Sequence, residues 1–95
     1  MKLKMRDFYF EEKLRKKLSI VFKKDPRRYK ILIKKIEEIT TSDNINRYKN
    51  LRKPFQEFKR VHIDAHFVLI FKYEKNKDAI YFYDFDHHDK IYKKY

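Results

Sequence analysis

The 95-residue chain contains no glycine, no cysteine and no tryptophan, and only two prolines. Without cysteine there is no disulfide scaffold, no thiol nucleophile and no cysteine-based zinc site, a composition that suits an intracellular protein. Without glycine there is neither a phosphate-cradling P-loop nor a dinucleotide-binding turn, because both need a residue lacking Cβ where the backbone meets phosphate. No apolar run approaches the roughly 20 residues that span a bilayer, and Met1-Lys2-Leu3-Lys4 has no apolar signal core. A soluble, cytoplasmic protein with no membrane partner is expected. Acidic residues are also scarce: 14 Asp and Glu against 26 Lys and Arg leave a formal charge of +12. Such an excess points to a polyanionic partner, whether nucleic acid, anionic membrane or acidic protein.

What is present makes folding possible. Charged residues at 42% would suggest disorder, but eight tyrosines and nine phenylalanines supply apolar surface for a core. The length admits one domain covering residues 1–95.

Phe10, Leu14, Leu18, Val21 and Phe22 recur at spacings of three and four, which predicts a helix over residues 7–23. Asp25-Pro26 then reads as an N-cap followed by proline at the first helical position. The stripe Tyr29, Leu32, Ile33, Ile36 and Ile39 predicts a second helix ending near Thr40, and the two form an antiparallel hairpin. Thr41-Ser42-Asp43-Asn44 is turn chemistry, and residues 46–54 read as a basic loop with no apolar period. From Phe55 the pattern becomes extended. Val61 and Ile63 alternate with Arg60, His62 and Asp64, so the first two are expected on a core face and the other three opposite. The run of residues 67–71 suits a central strand buried on both sides. A turn at Asn76-Lys77-Asp78 leads to a returning strand over residues 79–85. A further short strand is a candidate at residues 2–6. The expected class is α+β, with an N-terminal helical hairpin packed on a small antiparallel sheet.

All four histidines, His62, His66, His87 and His88, lie in the C-terminal third beside Asp64, Asp84, Asp86 and Asp89. RNA cleavage suits such a group, because RNA carries its own nucleophile, the 2′-hydroxyl. The enzyme then supplies a base for that proton, an acid for the 5′ leaving oxygen and cations for the phosphorane. Histidine, with a reference pKa of about 6.5, serves either role near neutrality. Arg52, Lys53, Arg60 and neighbouring lysines could hold the phosphates, and Tyr or Phe could stack a base. No cofactor is required. Singly, each histidine reads as well as a packed or solvent-facing side chain, but clustering of titratable groups is itself a site signal. Metal binding by His62, His66, His87 and His88 with Asp64 or Asp86 is another reading, although the spacing fits no zinc motif. The aromatic series Phe67, Phe71, Tyr81, Phe82, Tyr83 and Phe85 is most simply core.

Leu51-Arg52-Lys53, the stretch FKRVHIDAHFVLIF from Phe58 to Phe71 and the segment DHHDKIY from Asp86 to Tyr92 follow two helices in an order that resembles the RelE/ParE superfamily of type II toxin–antitoxin toxins. The pattern is most similar to the histidine-bearing YafQ-like mRNA interferases, in which a His-x-x-x-Asp-Trp block opens the central hairpin and another His follows the last strand. His62 matches the first of these and His88 the last. His66 stands where that branch has Asp, Phe67 where it has Trp, and Val68 where arginine-type enzymes carry a strand Arg. Tyr92 corresponds to the C-terminal tyrosine.

The resemblance implies a microbial-RNase-like fold and metal-independent cleavage of mRNA, usually in the ribosomal A site. It also implies an acidic, RelB-like antitoxin that inhibits the toxin and supplies the operator DNA binding. In that frame His62 and His88 are the acid–base pair, supported by His66, His87, Asp64 and Tyr92. Arg52, Lys53, Arg60, Lys49 and Lys59 are the expected phosphate ligands, with no metal and no cofactor. The alternatives are a ParE-like toxin that inhibits DNA gyrase without cleaving RNA, and a plain nucleic-acid-binding module.

Overall fold

The amphipathic stripes become two helices, α1 over Glu12–Lys24 and α2 over Pro26–Thr41, in a computed structural model that describes residues 5–95. Leu14 of α1 and Leu32, Ile36 and Ile39 of α2 are buried. Glu12 in the first turn of α1 and Lys23 and Lys24 in its last complement the helix dipole. The corner forms as the sequence indicates: the Asp25 carboxylate accepts from Arg28 N at 3.1 Å and Pro26 opens α2. Phe22 is exposed and meets Tyr29 edge-on.

Two boundaries differ from expectation. The first helix starts at Glu12, and residues 7–10 form a strand instead, β1 over Asp7–Phe10. The four-residue interval from Phe10 to Leu14 imitates a helical stripe, but Phe8 and Phe10 alternate with solvent-facing Asp7 and Tyr9 in the period of a strand. The short strand expected at residues 2–6 lies largely outside the described residues; Arg6 itself is irregular and donates to Asp78.

Residues 46–54 are more structured than a loop. A 3-10 turn at Ile45–Arg47 leads into β2, Lys49–Asn50, and Ile45, Tyr48 and Leu51 are buried at intervals of three. Then come β3 (Phe58–Ile63), β4 (Phe67–Glu74) and β5 (Ala79–His87), followed at once by α3, His88–Lys94, which the sequence pattern had not suggested. The strand order is β1-β5-β4-β3-β2. The sheet is therefore mixed rather than purely antiparallel, because β1 runs parallel to β5 while the other pairings are antiparallel. A parallel neighbour needs a long crossover, and the helical hairpin with the three following strands supplies it.

In a chain without glycine, aspartate takes the left-handed positions: Asp64 in the β3–β4 turn has φ 50° and Asp78 before β5 has φ 48°. The α-hairpin covers one face of the sheet over Ile63, Leu69, Phe71, Ile80, Phe82 and Phe85. A smaller cluster on the other face joins Leu51, Val68, Ile70 and Ile91 of α3. As the apolar run suggested, Val68, Leu69, Ile70 and Phe71 of β4 are all fully buried between these layers.

Candidate active site

A register shift between β4 and β5 sets up the functional face. Ile70 pairs with Asp84 but Phe71 pairs with Phe82, so Tyr83 is an extra residue, a β-bulge. Beyond it Phe85 continues the face of Phe82 in the larger core, and Asp84 and Asp86 turn to the α3 side opposite Ile70 and Val68. Asp84 is fully buried and accepts from Lys17 Nζ at 2.7 Å, Phe85 N at 2.8 Å and the Tyr95 hydroxyl at 3.0 Å. Burial pushes its carboxyl up, but those donors outweigh burial and hold it below the ordinary carboxylate value. Asp86, bonded to His87 N and Lys17, is lowered by the same balance. The desolvated Tyr95 phenol beside Asp84 is pushed well above its usual range. This network ties α1 and the C-terminus to β5.

On the same face a cavity of about 570 Å³ opens between the β2 segment, β3 and α3, lined by Asn50, Leu51, Arg52, Arg60, Tyr92 and Tyr95. The Arg60 guanidinium carbon stands 6.0 Å from the centre of the exposed Tyr92 ring. Two cations and two phenols around one concavity can receive a phosphodiester and an unstacked base. His62 lies two residues beyond Arg60 on β3 and is exposed, opposite Val68 in the register.

The remaining histidines gather at the end of the sheet. His66 in the β3–β4 turn, His87 at the end of β5 and His88 at the start of α3 each offer a ring nitrogen within 4.8 Å of the others. A backbone bond joins these segments, His88 N donating to His66 O at 2.8 Å, and within the turn the Asp64 carboxylate accepts from His66 N at 2.8 Å. Asp89 completes the group, its carboxylate 2.9 Å from His88 Nδ1 and its N–H donating to His87 Nδ1 at 3.2 Å. His62 is not a member of this trio.

Two of the expected site residues sit elsewhere. Lys59 is buried, and its Nζ donates to Tyr48 O at 3.1 Å and Asn50 Oδ1 at 3.0 Å, so it braces the β2–β3 edge rather than meeting phosphate. Desolvation lowers its pKa. Asp64 does not share the face of Arg60 and His62; its Oδ2 accepts from Arg28 Nε at 2.9 Å, on the helical side. Burial raises its carboxyl, but the His66 N–H and Arg28 together bring it below the usual value, and its visible role is holding the turn. Lys49 and Lys53 are exposed beside the cavity wall without lining it. Asn50 and Tyr95, which line the cavity, were not foreseen. The interval of four from Ile91 to Tyr95 was the available sign that the C-terminus is a helix facing the sheet.

No family model matches the chain. A curated relative from Methanocaldococcus jannaschii, named "Putative toxin RelE4", is 52% identical over 83 residues, covering 87% of this chain and 83% of that protein. The chain belongs to the RelE superfamily of toxins. Solved structures share the fold of this RelE-superfamily toxin at lower identity. A metal-bound toxin from Helicobacter pylori superposes with a TM-score of 0.75 at 20% identity, over 92% of this chain and 99% of that one. The isolated RelE toxin of E. coli gives 0.69 at 16% identity, over 94% and 97%. The DinJ–YafQ toxin–antitoxin complex of E. coli gives 0.64 at 17% identity, over 94% and 99%. The α+β architecture of this toxin is thus that of RelE-like toxins.

Proposed function

We propose that this toxin is a metal-independent endoribonuclease that cleaves mRNA in the ribosomal A site. One observation carries the reading: the concavity that gathers Arg52, Arg60, Tyr92 and Tyr95 opens on the sheet face that carries His62, with α3 leading back from Tyr92 to His88. His62 and His88 form the acid–base pair. One takes the proton of the 2′-hydroxyl, whose oxygen attacks the adjacent phosphorus. The other gives a proton to the departing 5′-oxygen, leaving a 2′,3′-cyclic phosphate on the upstream fragment. Arg52 and Arg60, with Lys53 and Lys49 at the rim, neutralise the phosphorane, and Tyr92 holds the flanking base. His66 and His87 support the pair from the end of the sheet.

The partner that restrains the enzyme is an acidic, RelB-like antitoxin, which also provides operator DNA binding. The +12 charge gives such a chain a physical reason to associate quickly and selectively. The name of the archaeal relative supports the RelE reading over gyrase inhibition.

His62→Ala and His88→Ala together test this. Both side chains are at least partly exposed, so the fold should persist by circular dichroism. Each general acid or base contributes about 10²–10⁴-fold, so growth inhibition and mRNA cleavage should both disappear. Full toxicity in the double variant would end the assignment.

A further inference from the structure

We propose that His66, His87 and His88 form a binding site for one divalent transition-metal ion of the zinc or nickel class. The donor type suits these ions, since neutral imidazole is a preferred ligand for zinc, nickel and copper. Three ring nitrogens already lie within 4.8 Å of one another. Ligands at a tetrahedral zinc, with bonds of about 2.0–2.1 Å, stand roughly 3.3 Å apart. Contraction by about 1.5 Å is within reach of small rotations of partly exposed rings.

The trio is also held for the purpose. His66 comes from a turn 21 positions before His87, yet the His88 N–H bond to His66 O at 2.8 Å locks the two segments together. The His66 and His87 rings lie parallel with centres 6.0 Å apart, and the His87 and His88 centres are 4.6 Å apart. Phe67 abuts His87 edge-on and limits its rotation. The Asp89 carboxylate, 2.9 Å from His88 Nδ1, leaves Nε2 of that ring to accept a metal, the carboxylate–histidine arrangement that fixes tautomer and raises ligand basicity. In His87 the Asp89 N–H bonds to Nδ1 at 3.2 Å, which leaves the neutral ring's proton on Nε2. Coordination through Nε2 therefore requires the ring to give up that long bond and carry its proton on Nδ1, toward the Asp89 carboxylate 3.7 Å away. The fourth position faces solvent and would take water.

An ion held here occupies His88 and the supporting histidines, so it should also suppress RNA cleavage. That consequence, unlike the binding, rests on the ribonuclease reading.

The test is titration of the purified full chain with Zn²⁺ alone by calorimetry, with Co²⁺ as a spectroscopic probe of tetrahedral nitrogen coordination. One ion per chain is expected. His66→Ala, in the exposed turn, should weaken binding at least about tenfold, and Asp89→Asn roughly 10–100-fold. His62→Ala should bind as the parent does. Binding that survives in the His66→Ala, His88→Gln double variant, or no saturable binding to the folded parent, would overturn the site. Metal binding without any RNA cleavage by the metal-free protein would leave the site standing and refute the ribonuclease reading. Cleavage insensitive to a saturated site would refute the proposed coupling alone.

Discussion

Lys59 and Arg60 are adjacent in the sequence and carry the same charge, yet the pleat of β3 sends them to opposite environments. The Lys59 ammonium is enclosed by Tyr48 O and Asn50 Oδ1, whereas Arg60 opens on the cavity beside Tyr92. Arg60→Ala should therefore cost about 10²-fold in cleavage rate with little effect on folding, as measured by single-turnover kinetics beside a urea melt. Lys59→Met should do the reverse. It leaves two acceptors without a donor, so a loss of about 1–3 kcal/mol in unfolding free energy is expected, while cleavage by the folded fraction is retained. A larger loss of cleavage for Lys59→Met than for Arg60→Ala would contradict this division of roles. Alternation makes such a difference readable in principle. The charge of Lys59 nonetheless suggested a phosphate ligand, because nothing local shows that Asn50 and Tyr48 fold back over it.

Among the elements, β5 and α3 depend on each other through Asp84. Its carboxylate joins β5 to Lys17 of α1 and to Tyr95 just beyond α3, with Lys13 and Lys94 at 3.7 and 3.8 Å. Removing one partner of a fully buried pair costs about 3–5 kcal/mol. Lys17 remains partly solvated, so Asp84→Ala should cost roughly 2 kcal/mol. The pH dependence has a definite sign. A carboxylate held below its ordinary value lends stability that is complete above the unfolded pKa of about 4 and is lost as pH falls through the lower folded value. Urea midpoints of the parent chain should drop on acidification below about pH 4, and Asp84→Asn should flatten that slope. An unchanged acid slope would show that Asp84 is not a principal contributor. Neither the bulge at Tyr83 nor the buried placement of Asp84 could be read from YFYDFDHH, in which aromatic and acidic residues alternate without marking where the register slips.

For the whole molecule, the +12 charge should act mainly through counterion release on RNA. If Arg52, Arg60, Lys53 and Lys49 make the phosphate contacts, the log–log slope of single-strand affinity against salt should be about −3. Fluorescence anisotropy with the His62→Ala, His88→Ala variant measures it without cleavage. Arg52→Ala should then reduce the slope by about 0.7, whereas a slope near zero would remove RNA from the list of partners.

The sequence by itself determined the two helices, though not where the first begins, the capped corner at Asp25-Pro26, the buried central run of residues 67–71 and the excess of positive charge, because each depends on local period, capping chemistry or composition. It also marked the histidines as a group. Tertiary structure decided which of them meet. Pairing of β4 with β5 carries His87 and His88 to the β3–β4 turn and His66, while His62 stays on the exposed side of β3. It also decided that β1 joins β5 in parallel and that α3 folds back to wall the cavity. These outcomes depend on register and on contacts between residues far apart in the chain, which hydrophobic periodicity does not encode.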